Sequence, residues 1–219
     1  MRSVLRSIVW AYLLIGSPTS WAANTNPKVL LQTNIGQFVI ELFPREAPIT
    51  VKNFLDNVDN DFYSGTIFHS VVPGFFIQGG GLTSNFVVKK SRTSIKNEAS
   101  DNLKNSALMV SMARAANNDS AATQFFINIQ DNPSLDTNGK NAGYAVFGKV
   151  TEGADVVGKI SLQPRGMYEN FPEAPDVAVQ ILKIKRIAPN ALITDVNFQA
   201  ESTAIEPTVI ENAPMSEPK

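Results

Sequence analysis

The stretch Phe68-His69-Ser70-Val71-Val72-Pro73-Gly74-Phe75-Phe76-Ile77-Gln78-Gly79-Gly80 constrains this chain more than any other. Two apolar runs, 67–72 and 75–78, flank a Pro-Gly pair. Proline supplies no ladder donor and glycine accepts turn dihedrals, so the segment reads as two strands around a break. The same grammar recurs. Val29 to Thr33 and Gln37 to Phe43 flank Asn34-Ile35-Gly36 as a β-hairpin would. Ala107 to Met112, Gln124 to Ile129 and Tyr144 to Val150 are further strand candidates, and Val179, Ile181, Ile184 and Ile187 mark a last one. Helical spacing appears at Val51, Phe54, Leu55, Val58 and Phe62, with Pro48 near the start, Thr50 as the expected N-cap and Gly65 as the end. A shorter helix is expected from Gly153 to Ile160, with Val156, Val157 and Ile160 inward. Many short strands, frequent glycine breaks and two helices predict a mainly-β barrel or sandwich. Two helices over the open ends of a barrel satisfy the pattern.

The two ends differ from this body. Arg2 and Arg6 precede an unbroken apolar run from Ile8 to Ile15, Pro18 breaks any helix, and Ser20-Trp21-Ala22 puts small residues where a signal peptidase reads. The run is far short of the roughly 18–20 residues that span a bilayer. Residues 1–22 therefore read as a signal peptide cleaved before Ala23, which implies export, most simply to a bacterial periplasm. The domain follows over 23–188. From 189 to 219 the chain holds Pro189, Pro207, Pro214 and Pro218, and Asp195, Glu201, Glu206, Glu211 and Glu217 face one basic residue, Lys219. That composition reads as an acidic, mostly disordered tail, simplest as a solubilising one, with 193–198 the segment able to meet a partner.

Composition removes several chemistries. With 219 residues, 43% hydrophobic and a net charge of −1, the chain can bury a core and shows no basic excess for nucleic acid. Removal of Arg2 and Arg6 leaves 17 basic against 20 acidic residues, a charge of −3. There is no cysteine, so disulfides, thiolate catalysis and cysteine-based zinc sites are excluded. A single histidine, His69, excludes any site built on several, and no Gly-x-Ser-x-Gly elbow accompanies it.

Phe68 to Gly80 resembles the cyclophilin signature F-H-R-x-x-P-G-F-x-x-Q-G-G. Asn97-Glu98-Ala99, Ser111-Met112-Ala113-Arg114-Ala115, Gln124-Phe125-Phe126-Ile127 and Val146-Phe147-Gly148-Lys149-Val150 resemble further family motifs in the right order. The resemblance runs from about Lys28 to Ala188 and is closest to short bacterial periplasmic members. It implies a closed eight-stranded antiparallel β-barrel capped by two α-helices, and peptidyl-prolyl cis-trans isomerase activity. That reaction rotates an X-Pro amide over a resonance barrier of about 18–20 kcal/mol, breaks no bond and calls for no metal or cofactor. By the resemblance Phe75, Phe76, Phe126 and Leu135 line a proline pocket, and Gln78 hydrogen-bonds the substrate backbone. Ala113, Arg114 and Ala115 form a rim that meets an extended peptide through main-chain groups, with Gln124 and Tyr144 beside them. Gln78, Phe126 and position 70 carry the catalysis. His69 and Phe147 are taken as structural.

Three departures qualify the resemblance. Ser70 stands where the family's catalytic arginine belongs, and loss of one preorganised donor costs roughly 10²–10³ in rate. Ser134 replaces the aromatic residue before Leu135, removing a pocket wall. Ala116 to Ala122 is about one residue longer than the usual loop. Arg114 is the nearest basic residue along the matched strand. The expectation is a weak isomerase acting on proline-containing segments of unfolded or exported proteins as a monomer. The alternative is a proline-peptide-binding chaperone or adaptor with little or no catalysis.

Overall fold

The computed structural model describes residues 25–90 and 93–195. The expected signal peptide and the tail beyond Asp195 lie outside the described residues. Eight strands close into an antiparallel barrel: β1 (Lys28–Thr33), β2 (Gln37–Leu42), β3 (Thr66–Val72), β4 (Phe76–Thr83), β5 (Met109–Met112), β6 (Phe125–Asn128), β7 (Val146–Glu152) and, after the separate hairpin β8 (Arg165–Tyr168) and β9 (Phe171–Pro175), β10 (Val179–Ile187). Around the barrel the order is β1-β10-β3-β4-β6-β5-β7-β2. Closure leaves no unpaired edge. The strands begin and end within a few residues of their expected positions, and the mainly-β barrel is the observed architecture.

Two helices, α1 (Pro48–Asp59) and α2 (Ala154–Ser161), cover the barrel. The first buries Val51, Phe54, Leu55 and Val58, and the second Val156, Val157 and Ile160, the inward positions of a 3.6-residue period. Phe54 enters the barrel, where its ring lies 5.2 Å from Tyr63, 5.7 Å from Phe125 and 5.1 Å from Phe147. Such tilted and edge-on pairs suit the ring quadrupole.

The start of α1 corrects one expectation. Thr50 is not the N-cap. Ala47 holds that place without a side-chain cap bond, and Pro48 opens the helix because its fixed φ suits a first helical residue. The cap comes from elsewhere. Glu98 accepts hydrogen bonds from the N–H groups of Ile49 at 3.1 Å and Thr50 at 2.7 Å, and from the Thr50 hydroxyl at 2.8 Å. A carboxylate there also meets the positive end of the helix dipole.

The β8–β9 hairpin was not anticipated, because 165–175 lacks alternating hydrophobicity. It folds over β3 and closes a second apolar cluster of Ile67, Leu82, Phe86, Ala174 and Ala178, with Tyr168 and Phe171 packed on it. Past Ala188 the chain makes a 3₁₀ turn over Ile193–Asp195, and the Ile193 N–H donates to Glu152 at 3.0 Å.

Candidate active site

The site is built on one rung of the barrel. Val72 accepts a hydrogen bond from the Phe75 N–H at 3.0 Å across Pro73-Gly74, and Gly74 takes φ 65°. Proline at the first central position and a positive-φ glycine at the second give the tight turn its shape. The pairing then slips: Phe68 faces Gly79, yet Ser70 faces Gln78, so β3 carries one extra residue, His69, as a β-bulge. The bulge re-aims the strand and sets Ser70 directly opposite Gln78. Gln78 faces Phe126 on β6, and Phe126 faces Ser111 on β5. Directly opposed side chains share a face with Cβ atoms about 4.5–5.5 Å apart, so Ser70, Gln78 and Phe126 stand side by side outside the barrel.

Aromatic rings extend this rung into an apolar wall. Phe76 and Phe126 lie 5.4 Å apart, and Phe126 meets Tyr144 edge-on at 5.4 Å. Phe75 adds its ring 4.6 Å from Phe76. The Tyr144 N–H donates to the Leu135 carbonyl at 3.0 Å, which ties Leu135 to the same wall. Phe126 is 3% exposed, so its ring is fixed by its neighbours rather than by solvent. Beside the wall, the Gln78 amide donates to the Gln124 side chain at 2.8 Å. That bond orients Gln78 and leaves its oxygen and second N–H for another molecule. Gly81 makes room for this pair: a Cβ there would stand 2.6 Å from the Gln124 Nε2.

A cavity of about 310 Å³ opens alongside, lined among others by Gln78, Lys89, Arg114, Ser120 and Gln124. Its basic groups are committed. Lys89 donates to the carbonyls of Phe62 and Ser64. Arg114 donates to the carbonyls of Gly143 and Ala115, both at 3.0 Å, and lies 4.7 Å over the Tyr144 ring. On the rim, the Ala113 N–H bonds to Gln124 and the Ala115 N–H to the Ser120 hydroxyl. The Arg114 N–H and carbonyl and the Ala113 carbonyl make no hydrogen bond to another described residue.

Ser70, Phe76, Gln78, Gln124, Phe126, Tyr144 and the Arg114 side chain are thus brought together by pairing, ring contact or hydrogen bond, Leu135 is joined through its carbonyl, and Phe75 meets Phe76 rather than Phe126. Ser134 is exposed on the segment before Leu135. Among the described residues Ser70 has no side-chain partner. His69 is buried under the Phe171 ring at 5.8 Å, on the bulge and away from the rung. Burial pushes its pKa down to about 4, against an opposing contact with the Ile67 backbone, and its Nδ1 has no hydrogen-bond partner. Among the described residues no three His, Cys, Asp or Glu side chains converge as a metal site would require. Three buried asparagines behind the wall, Asn105, Asn128 and Asn132, escaped the sequence reading, since nothing in a lone asparagine announces burial.

Comparison with known proteins agrees with this geometry. Residues 28–186 match the family model described as cyclophilin type peptidyl-prolyl cis-trans isomerase/CLD. The chain is 48% identical over 180 residues to a peptidyl-prolyl cis-trans isomerase of Acinetobacter baylyi, covering 81% of this chain and 95% of that one. It is 43% identical over 186 residues to peptidyl-prolyl cis-trans isomerase A of Dickeya dadantii, covering 84% and 97%. A Cryptosporidium parvum cyclophilin type isomerase solved in the presence of the dipeptide Ala-Pro superposes with a TM-score of 0.64 at 28% identity, covering 74% of this chain and 99% of that one. Barrel, rung, aromatic wall and relatives converge, and the chain belongs to the cyclophilin-type peptidyl-prolyl cis-trans isomerases.

Proposed function

We propose that this isomerase acts on proline-containing segments of exported proteins, and turns them over slowly because a serine stands opposite Gln78. The proline ring packs against Phe76, Phe126 and Tyr144, with Leu135 behind. Gln78, held by Gln124, bonds the backbone beside the rotating amide. The Ala-Pro dipeptide used with the Cryptosporidium relative supports an X-Pro ligand of this kind. Rotation needs no nucleophile, but it speeds up when a donor draws the prolyl nitrogen out of resonance. A neutral serine hydroxyl polarises weakly and is short. The observation that carries the lowered rate is the placement of Ser70 at the head of the aromatic wall while the Arg114 guanidinium is tied to Gly143, Ala115 and Tyr144.

The test is a protease-coupled assay on a proline tetrapeptide. The Ser70→Arg variant should exceed the native protein in kcat/KM by roughly 10²–10³. Equal rates would refute the role given to Ser70. A second reading, a proline-segment holdase or adaptor, is favoured by the joint absence of an arginine at 70 and an aromatic wall at 134. Peptide binding without turnover above background selects it.

The reading of residues 1–22 as a signal peptide places the work in the periplasm. Fractionation and N-terminal sequencing should find the mature chain there beginning at Ala23. The domain is taken to act as a monomer, and sedimentation checks this.

A further inference from the structure

Behind the aromatic wall one side chain collects an unusual number of bonds. Asn105 is 2% exposed and lies between the Asn97-Glu98-Ala99 element and β5. Its main-chain N–H donates to the Asp136 carboxylate at 2.8 Å, and its carbonyl accepts from the Asn132 N–H at 2.8 Å. Its amide nitrogen donates to the Leu135 carbonyl at 3.1 Å and to Asp136 at 3.0 Å. Its amide oxygen accepts from the Ser111 hydroxyl at 2.7 Å and from Asn128 at 3.4 Å.

The Leu135 carbonyl is the key link, because it also accepts the Tyr144 N–H at 3.0 Å. One oxygen therefore joins Asn105 to two residues of the wall. The network continues through Asn132, which donates to the Phe75 carbonyl at 2.9 Å and to Asn128 at 2.8 Å. Only an amide offers two donors and an acceptor in one plane. Aspartate at this position would lose the donors and face Asp136, and alanine would leave the Ser111 hydroxyl and the Leu135 carbonyl short of partners.

We propose that Asn105 is a positioning residue for isomerisation: through the Leu135 carbonyl it holds Leu135 and Tyr144 at the distance from Phe126 that grips a proline ring. This rests on the reading of that wall as the proline pocket. A reacting group misplaced by about 1 Å can cost on the order of 10²-fold in rate.

The experiment compares Asn105→Ala and Asn105→Thr with Thr33→Ala. Thr33 is buried at the β1–β2 turn, where its hydroxyl bonds Gly36 and the Ile35 N–H, so its loss is a comparable polar deletion on a distant hairpin. Asn105→Thr keeps a hydroxyl for Ser111 and drops the amide donor, so it serves if the alanine variant does not fold. At a temperature well below each melting point, both Asn105 variants should lose about tenfold or more in kcat/KM, with faster amide exchange at Tyr144. Thr33→Ala should match the native protein in both. If Asn105→Thr keeps kcat/KM within about twofold of Thr33→Ala, or leaves Tyr144 exchange unchanged, the proposal is overturned. If the native protein shows no turnover at all, the isomerase reading fails on its own. The positioning role is then decided by Kd for an Ala-Pro peptide and by Tyr144 exchange, with the same thresholds.

Discussion

His69 is the chain's single histidine, and its burial makes the fold sensitive to mild acid. In the folded protein its pKa lies at about 4, pushed down from 6.5 by burial, while the unfolded chain titrates near the ordinary value. Between those values the unfolded state binds a proton that the folded state refuses. Stability is therefore intact above pH 6.5 and falls as pH drops toward 4, where the folded form begins to protonate as well. The loss approaches 1.4 kcal/mol per pH unit, roughly 2 kcal/mol at pH 5 and about 3 kcal/mol in full. The structural cause is plain: the ring lies under Phe171, and Nδ1 has no acceptor for the second proton an imidazolium carries. The assay is urea unfolding of the native protein and His69→Gln at pH 7.5, 6, 5 and 4.5. Carboxylates common to both proteins cancel in the difference. The gap between the two stabilities should shift by about 2 kcal/mol from pH 7.5 to 5, with the native protein losing more. NMR titration of the lone imidazole gives the pKa directly, even if the variant folds poorly. Parallel stability profiles, or a folded pKa near 6.5, would refute the reasoning.

Two further predictions follow from single contacts. Glu98→Ala removes the acceptor for two first-turn N–H groups of α1 and for the Thr50 hydroxyl, and should lower stability by about 1–2 kcal/mol, read as a fall in melting temperature with the barrel's circular dichroism unchanged. Gly81→Ala drives a methyl group into Gln124 and should break its bond to Gln78, weakening peptide binding by roughly tenfold at near-native stability; unchanged Kd by calorimetry would show that Gln124 does not orient Gln78.

The parts of this protein that were legible in advance are those governed by neighbours along the chain. The Pro73-Gly74 turn, the Asn34-Ile35-Gly36 hairpin and the inward faces of both helices follow from dihedral preference and periodicity and were found, except that α1 ends at Asp59, short of the expected Phe62 and Gly65. Of the residues the motif resemblance named, Ser70, Gln78 and Phe126 lie on one rung, with Phe76 and Tyr144 against Phe126. What escaped was set by long-range contact. Thr50 looked like a cap because capping residues act locally, whereas the true cap, Glu98, lies 48 residues away. The β8–β9 hairpin carries no alternation because only part of it meets the second apolar cluster. Asn105 bonds partners about thirty residues distant, and its burial is invisible until the 3₁₀ turn at Pro133–Leu135 folds over it.

The sequence by itself determined a mainly-β fold with two helices from short strands and turn chemistry, and its ordered motifs added the family and with it the closed barrel, because all of these are written in adjacent residues. Tertiary structure alone decided the bulge. Phe68 to Gln78 reads as two simple strands, and simple alternation gives no reason for Ser70 rather than His69 to face Gln78. Pairing with β4 inserts His69 as the extra residue, sends it under Phe171 and sets Ser70 opposite Gln78. Register is a property of two strands together, so no single stretch of chain contains it.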